Sequence, residues 1–414
     1  MAIFCKKHCE KDLFGLFHNK KMQVCLCIGM ILMSCSASVQ MFEKENVLAQ
    51  ETLRMYAGSY ALMDGDTGRV LVEKQAEEPM ANASTTKILT CIVALEHCAL
   101  DEVVSISANA SAQPRVRYGI KEGEQYVLKE LLYGLMLESY NDCAVAIAEH
   151  VAGSETGFAE LLNAKAAEIG CKDTYFITPN GLDAENEGGF HHTTAQDLCK
   201  IMAYCVWESP MKESFLEITQ TKSYGPFVNH NAFLGQMDGV LSGKTGFTSK
   251  AGYCYVAALE QDGERYTIAL LACGWPNNKN YKWHDARELF TYGLETYDKK
   301  EVVFDEKKEV ITMEGFVNAP VFSMLNISSE VQLVAEKRQY ECLMAVKERL
   351  RIEKVMEEHC TMPVEKGEVF GTYHIYLGDV KIDEIPLISQ DSAKEWDIVA
   401  VCKVIIRQFL SVAS

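Results

Sequence analysis

The sequence predicts an α+β fold in which one antiparallel sheet is gathered from distant parts of the chain and packed with helices, followed by a small all-β domain. Three observations carry this. Two strand-like runs flank a turn near residue 66, and two more flank a turn near residue 262. The segments between these hairpins have helical periodicity. Beyond residue 298 the pattern changes to short alternating runs broken by glycine and proline.

Residues 59–63 and 69–73 read as strands joined by Asp64-Gly65-Asp66-Thr67-Gly68, a hairpin turn. Ser84 then precedes an apolar run whose Ile88, Leu89, Ile92, Val93 and Leu95 fall on one helical stripe, so this helix is expected in the core. Residues 127–137 are helical in spacing, break at Glu138-Ser139-Tyr140-Asn141, and resume to 151 before Gly153. Ser154 opens another helix, closed by Gly170, and Thr194 with Asp197 forms a capping box for one reaching 206. Residues 253–259 and 265–273 flank Gln261-Asp262-Gly263-Glu264 as the second hairpin, and 284–297 is an amphipathic helix. The first domain is therefore placed at 53–298 and the β domain at 299–390, with 369–377 and 380–387 among its strands.

The ends have their own character. Lys6, Lys7, Lys11, Lys20 and Lys21 precede an apolar run over 22–33 and then small residues, an order expected of a secretory signal or N-terminal anchor over 1–38, with a linker at 39–52. Leu32-Met33-Ser34-Cys35 also resembles a weak lipoprotein cleavage box with Cys35 as the lipidated residue. The tail, 391–414, carries Trp396, Val399, Ile405, Ile406 and Phe409 around Lys403 and Arg407, which suits either a membrane surface or packing on the β domain.

The 414 residues are 48% hydrophobic and carry a formal charge of −18 despite the basic leader, which argues against nucleic acid as a partner. Sixteen cysteines in an exported chain would ordinarily suggest a disulfide framework. Here most of those in the body lie inside apolar runs (Cys91, Cys98, Cys143, Cys199, Cys205, Cys254 and Cys273), where cysteine acts as a small hydrophobe. No CxxC pair occurs and the ten histidines show no HExxH or other ligand spacing, so no metal site is expected.

Chemistry enters with three short motifs in order. Ser84-x-x-Lys87 puts a hydroxyl at a helix N-terminus with an amine one turn above it, a nucleophile with a built-in base once burial makes the lysine neutral. Ser139-x-Asn141 interrupts a helix, so its hydroxyl can relay a proton toward a leaving amine and its amide can bind a substrate carbonyl. Lys244-Thr245-Gly246 begins a strand; a cation and a hydroxyl there can hold a carboxylate, while a residue without Cβ lets an extended peptide lie along the sheet edge. Two converging lysines also repel, which favours a neutral Lys87. The chain contains decoys in Ser209-Pro210-Met211-Lys212 and Ser107-Ala108-Asn109, but only the three motifs above stand in order and in context.

Together they resemble the serine penicillin-recognising enzymes, and more narrowly the low-molecular-mass D-alanyl-D-alanine carboxypeptidases. The narrower likeness rests on Lys244-Thr245-Gly246-Phe247-Thr248 followed by Ala251-Gly252-Tyr253-Cys254, on Thr178-Pro179-Asn180-Gly181-Leu182-Asp183, on His192-Thr193-Thr194-Ala195-Gln196-Asp197-Leu198 and on Asn229-His230-Asn231. It extends less specifically into the β domain through Pro363-Val364-Glu365-Lys366-Gly367 and Ile385-Pro386-Leu387.

The resemblance implies a β-lactamase/transpeptidase-like catalytic domain and a serine carboxypeptidase without a cofactor. Its substrate would be the D-alanyl-D-alanine end of a peptidoglycan stem peptide and its inhibitors β-lactams, acting outside the cytoplasm. Ser84 would be acylated and Lys87 its base. Ser139, Asn141 and Lys244 would shuttle protons and orient substrate, with Thr245 at the substrate carboxylate and the amides of Ser84 and Phe247 as the oxyanion hole. Where such enzymes often carry an arginine before the helix after the last hairpin, this chain has Lys282, with Arg287 a turn further on. Two rivals are a β-lactamase, whose class A members use an extra glutamate that the region 175–183 lacks, and a catalytically silent wall-binding protein.

Overall fold

The computed structural model describes residues 53–315, 327–356, 360–361, 363–393 and 406. The expected leader, Cys35, the linker and most of the tail lie outside them.

The first sheet has five antiparallel strands in the order Val70–Lys74 (β2), Ser59–Asp64 (β1), Glu264–Leu271 (β5), Gly252–Gln261 (β4) and Val240–Thr248 (β3). Strand β1 pairs with β5 from Ser59 opposite Leu271 to Asp64 opposite Tyr266, so the two hairpins read in the sequence share one sheet. Both faces are covered. Ala61, Met63, Val256, Ala258 and Ala269 face the helical layer, while Tyr60, Leu62, Tyr255, Leu259 and Ile268 face the helix Tyr281–Thr296 through Leu289 and Phe290. A sheet buried on both sides needs apolar residues at successive positions, which is why these strands read as nearly continuous hydrophobic runs.

The helical layer is built around Lys87–His97 (α1), whose residues 87–95 are all buried. Against it lie Leu128–Leu137 (α2), Asn141–Ala152 (α3) and Glu155–Ile169 (α4). Gly153 and Gly170 end α3 and α4 in the left-handed conformation, and Ser154 caps α4 by accepting from the Gly157 amide. The Thr194 cap forms on Ala195–Ala203 (α5), but the box is not reciprocal: Asp197 turns away to accept from the amides of Lys172 and Asp173. Helix α5 continues as a π-helical segment, Tyr204–Glu208, two residues past the expected end.

Beyond Tyr281–Thr296, strand Tyr297–Phe304 pairs with Arg338–Ala345. A six-stranded sheet then runs in the order Leu350–Met356, Val369–Leu377, Val380–Ser389, Ile327–Ala335, Lys307–Gly315 and Cys360–Thr361, with a separate core that includes Phe304, Leu333, Ile375 and Leu387. One buried cation ties this region to the first sheet. The Arg69 guanidinium donates to Glu348 and, at 2.7 Å, to the Leu343 carbonyl, while lying over the Tyr297 ring.

Nine of the cysteines in the described residues, from Cys91 to Cys342, are free thiols, seven of them buried. Among those residues no helix is long and apolar enough to cross a membrane.

Candidate active site

Ser84 sits in a 3-10 turn, Ala83–Thr86, and Lys87 is the first residue of α1. The serine is thus one turn ahead of the helix rather than its cap. The motif spacing survives because side chains three apart eclipse in a 3-10 turn. The turn is clamped from outside by the segment 178–182. Thr90 donates to the Pro179 carbonyl at 2.7 Å, and Thr86 Oγ1 lies 2.9 Å from buried His191. Gly181, at φ 79°, passes so close that a Cβ there would lie 2.0 Å from the Ala83 carbonyl oxygen.

Lys87 is fully buried, and its amine has three neighbours: Ser84 Oγ at 2.9 Å, Asn141 Oδ1 at 3.0 Å and the Asn180 carbonyl at 2.6 Å. Two of these can only accept. A neutral amine has two N–H groups for the two carbonyls, which leaves its lone pair for the Ser84 hydroxyl proton. Burial, and secondarily the nearby charge of Lys244, holds the Lys87 pKa well below the ordinary lysine value.

The break between α2 and α3 has a backbone cause. Ser139 adopts φ 64°, a left-handed conformation that ends the helical path and turns its hydroxyl into the cleft. Asn141 then starts α3, its Nδ2 donating to the Pro114 carbonyl at 3.3 Å, which fixes Oδ1 toward Lys87. The neighbouring Asp142 is fully buried and accepts from the amides of Tyr118 at 2.9 Å and Gly119 at 2.7 Å. It thereby anchors the segment whose Arg115 and Val116 form one wall of the cleft.

The third motif lies within β3, which starts earlier than expected, at Val240, and is the edge of the sheet. Lys244 is 3% exposed and donates to Ser139 Oγ at 2.9 Å and to the Thr245 carbonyl at 3.0 Å; burial pushes its pKa down to about 7. Gly246 has a further reason beside the one read in the sequence. A Cβ there would meet the Asn82 carbonyl at 2.9 Å and the Ser84 amide at 3.0 Å, so the missing side chain lets the strand approach the nucleophile's own turn.

Of these groups Ser84, Ser139, Asn141, Thr245 and Gly246 line one cavity of about 330 Å3, together with Phe247, Tyr253, Lys282 and Trp283. Lys282 lies in the first turn of Tyr281–Thr296, which begins three residues before the expected start, and its amine sits 4.8 Å from the Tyr253 ring and 4.6 Å from that of Trp283. Arg287 is exposed and donates to Gln236 instead, outside the cavity. Among the described residues no aspartate or glutamate lines this cavity, whereas Arg115 and Lys282 do, in a chain of net charge −18. The two decoys serve structure: Ser209 donates to Glu96, and Ser107 caps a short helix.

A family profile described as D-alanyl-D-alanine carboxypeptidase matches residues 45–272, more than half of the chain. The chain belongs to this family. The α+β fold and the serine-type carboxypeptidase expected from the motifs are those of its members. The chain is 27% identical over 398 residues to the D-alanyl-D-alanine carboxypeptidase DacF of Bacillus subtilis, covering 93% of this chain and 97% of that one. Penicillin-binding protein 5 of Haemophilus influenzae shares the fold, with a TM-score of 0.63 and 22% identity over 83% of this chain and 99% of that one. Penicillin-binding protein D2 of Listeria monocytogenes, solved in its ampicillin-bound form, is similar over 58% of this chain and 98–99% of its own length, at 25% identity and a TM-score of 0.52.

Sequence reasoning missed three contributors to the site: the Asn180 carbonyl, Asp142 and Arg115. The first is a backbone group with no side-chain signature, and Asp142 acts through a wall distant in sequence.

Proposed function

We propose that the protein removes the terminal D-alanine from peptidoglycan stem peptides ending in D-alanyl-D-alanine, through an acyl-enzyme on Ser84. The observation that carries this reading is the Lys87 amine, held between two carbonyl acceptors with Ser84 Oγ as its remaining neighbour. Lys87 takes the hydroxyl proton as Oγ attacks the penultimate carbonyl carbon. The amides of Ser84 and Phe247 stabilise the oxyanion. Ser139, bonded to Lys244, passes a proton to the departing amine as the peptide C–N bond breaks, and free D-alanine leaves. Water then cleaves the ester by the reverse proton path. Thr245 and Lys282 receive the substrate's terminal carboxylate, and the absence of lining acids leaves that charge unopposed.

A β-lactam presents the same kind of carbonyl and acylates the same oxygen, in line with the ampicillin-bound form of the Listeria protein. Among the described residues none lining the cavity is a carboxylate that could activate a deacylating water in the class A manner, which disfavours a β-lactamase. Action on peptidoglycan places the catalytic domain, which we assign to 53–298, outside the cytoplasm. The β domain, 299–390, and the amphipathic tail, 391–414, would present it to the wall, the tail resting on the membrane surface.

The test is D-alanine release from a pentapeptide ending in D-alanyl-D-alanine. Wild type is expected to release it, with a loss of about 10³-fold or more in Ser84→Ala. No release by the wild type would overturn the reading.

A further inference from the structure

Outside the lining of the catalytic cavity, Cys98, Glu102 and His150 bring a thiol, a carboxylate and an imidazole to within 4.8 Å of one another. Cys98 is the residue that follows α1, Glu102 lies four residues on, and His150 is in the last turn of α3. The local spacing matches no metal motif, because the third donor comes from another helix. The imidazole Nε2 is 2.9 Å from Glu102 Oε2, and the other carboxylate oxygen accepts from the Ala99 amide at 2.6 Å.

The frame around these donors is rigid. The Leu128 amide donates to the Glu102 carbonyl at 2.8 Å and the Lys129 amide to the Leu100 carbonyl at 3.0 Å, so the turn is pinned to the start of α2. All three side chains are only partly buried, so an ion can reach them from solvent.

We propose that Cys98, Glu102 and His150 form a zinc site, with water as the fourth ligand. Sulfur, imidazole nitrogen and carboxylate oxygen are the donor types that zinc takes in proteins, and three protein ligands plus one water complete a tetrahedron. The three donor atoms lie within 4.8 Å of one another, so side-chain rotation alone can bring them to the spacing of roughly 3.3–3.7 Å that a tetrahedral ion about 2.0–2.3 Å from each ligand requires. On binding, the thiol proton leaves to solvent and the sulfur coordinates as thiolate. The ion would tie the C-terminal ends of α1 and α3 together. Those helices carry Lys87 and Asn141 at their opposite ends, so the clip fixes the catalytic scaffold without touching substrate.

The experiment uses the full chain, stripped of metal with a chelator that is then removed, and titrated with zinc chloride by calorimetry. One equivalent is expected to bind, with affinity reduced at least 10-fold in Cys98→Ser and in His150→Ala, and with a zinc-dependent rise in Tm confined to the wild type. Cobalt(II) should give a sulfur-to-metal charge-transfer band that Cys98→Ser abolishes. Labelling of Ser84 by a fluorescent penicillin reports that each variant is folded, independently of zinc. Failure of the wild type to bind would overturn the proposal. So would wild-type affinity in both variants, which would put the metal on other cysteines of the chain.

Discussion

Lys244 Nζ lies 2.9 Å from Ser139 Oγ, and the same buried ammonium acts on Lys87 by charge repulsion. The second and third motifs are therefore joined directly, and the first feels them electrostatically.

This coupling sets a pH dependence. Acylation needs neutral Lys87, so its rate climbs with pH through the lowered pKa of that group. In Lys244→Met the repelling charge is gone and the Lys87 pKa rises, so the acidic limb of the acylation profile should move to higher pH. Penicillin acylation rates from pH 5 to 10 provide the check, and a reduced rate with an unmoved midpoint would contradict it. Stability responds with the opposite benefit. Lys244 has a folded pKa of about 7 against 10.5 in the unfolded chain, so the unfolded state binds more protons between those values and wild-type stability rises with pH across that window. Lys244→Met should flatten that rise and raise Tm near pH 7.5.

Ser139 is held at φ 64°, a conformation that costs a side chain about 1–2 kcal/mol and glycine little. Ser139→Gly should therefore be more stable than wild type by about 1 kcal/mol in urea unfolding while D-alanine release falls by about 10²-fold or more. Gains in both, or losses in both, would separate the strain from the catalytic role assigned here.

Gly246→Ala should strike the Asn82 carbonyl and the Ser84 amide, both backbone groups that cannot swing aside. Acylation by penicillin should drop by about 10²-fold, since a small displacement of an oxyanion donor is costly, with the far-ultraviolet circular dichroism unchanged. Wild-type acylation would show that the strand and the nucleophile's turn need not touch.

Much of this site was legible because backbone geometry leaves marks in sequence. The apolar period stops at Glu138 and restarts at Asn141, Gly153 and Gly170 stand where left-handed ends are required, and two hairpin turns flank the chain's strands. What escaped was set by tertiary contacts. Asp197 could close a capping box but finds the amides of Lys172 and Asp173. The Asn180 carbonyl gains its importance only when Lys87 arrives beside it, and the close approach of Gly246 to the turn of Ser84 leaves no mark in the local sequence. The pairing of Tyr297–Phe304 with Arg338–Ala345 likewise joins strands whose alternation gives their existence but not their partners.

Lys282 and Arg287 were both candidates to support the substrate carboxylate, and only Lys282 lines the cavity. Lys282→Ala should raise KM for a D-alanyl-D-alanine peptide by about 10-fold, while Arg287→Ala stays within twofold of wild type. The reverse pattern in steady-state kinetics would move carboxylate recognition off Lys282.

The central claim is that Ser84 is the atom acylated, with Lys87 as its base. Mass spectrometry of the intact protein after incubation with penicillin, followed by peptide mapping, tests it most directly. One penicilloyl adduct is expected on the peptide containing Ser84 in the wild type and none in Ser84→Ala. Equal labelling of both proteins would contradict it.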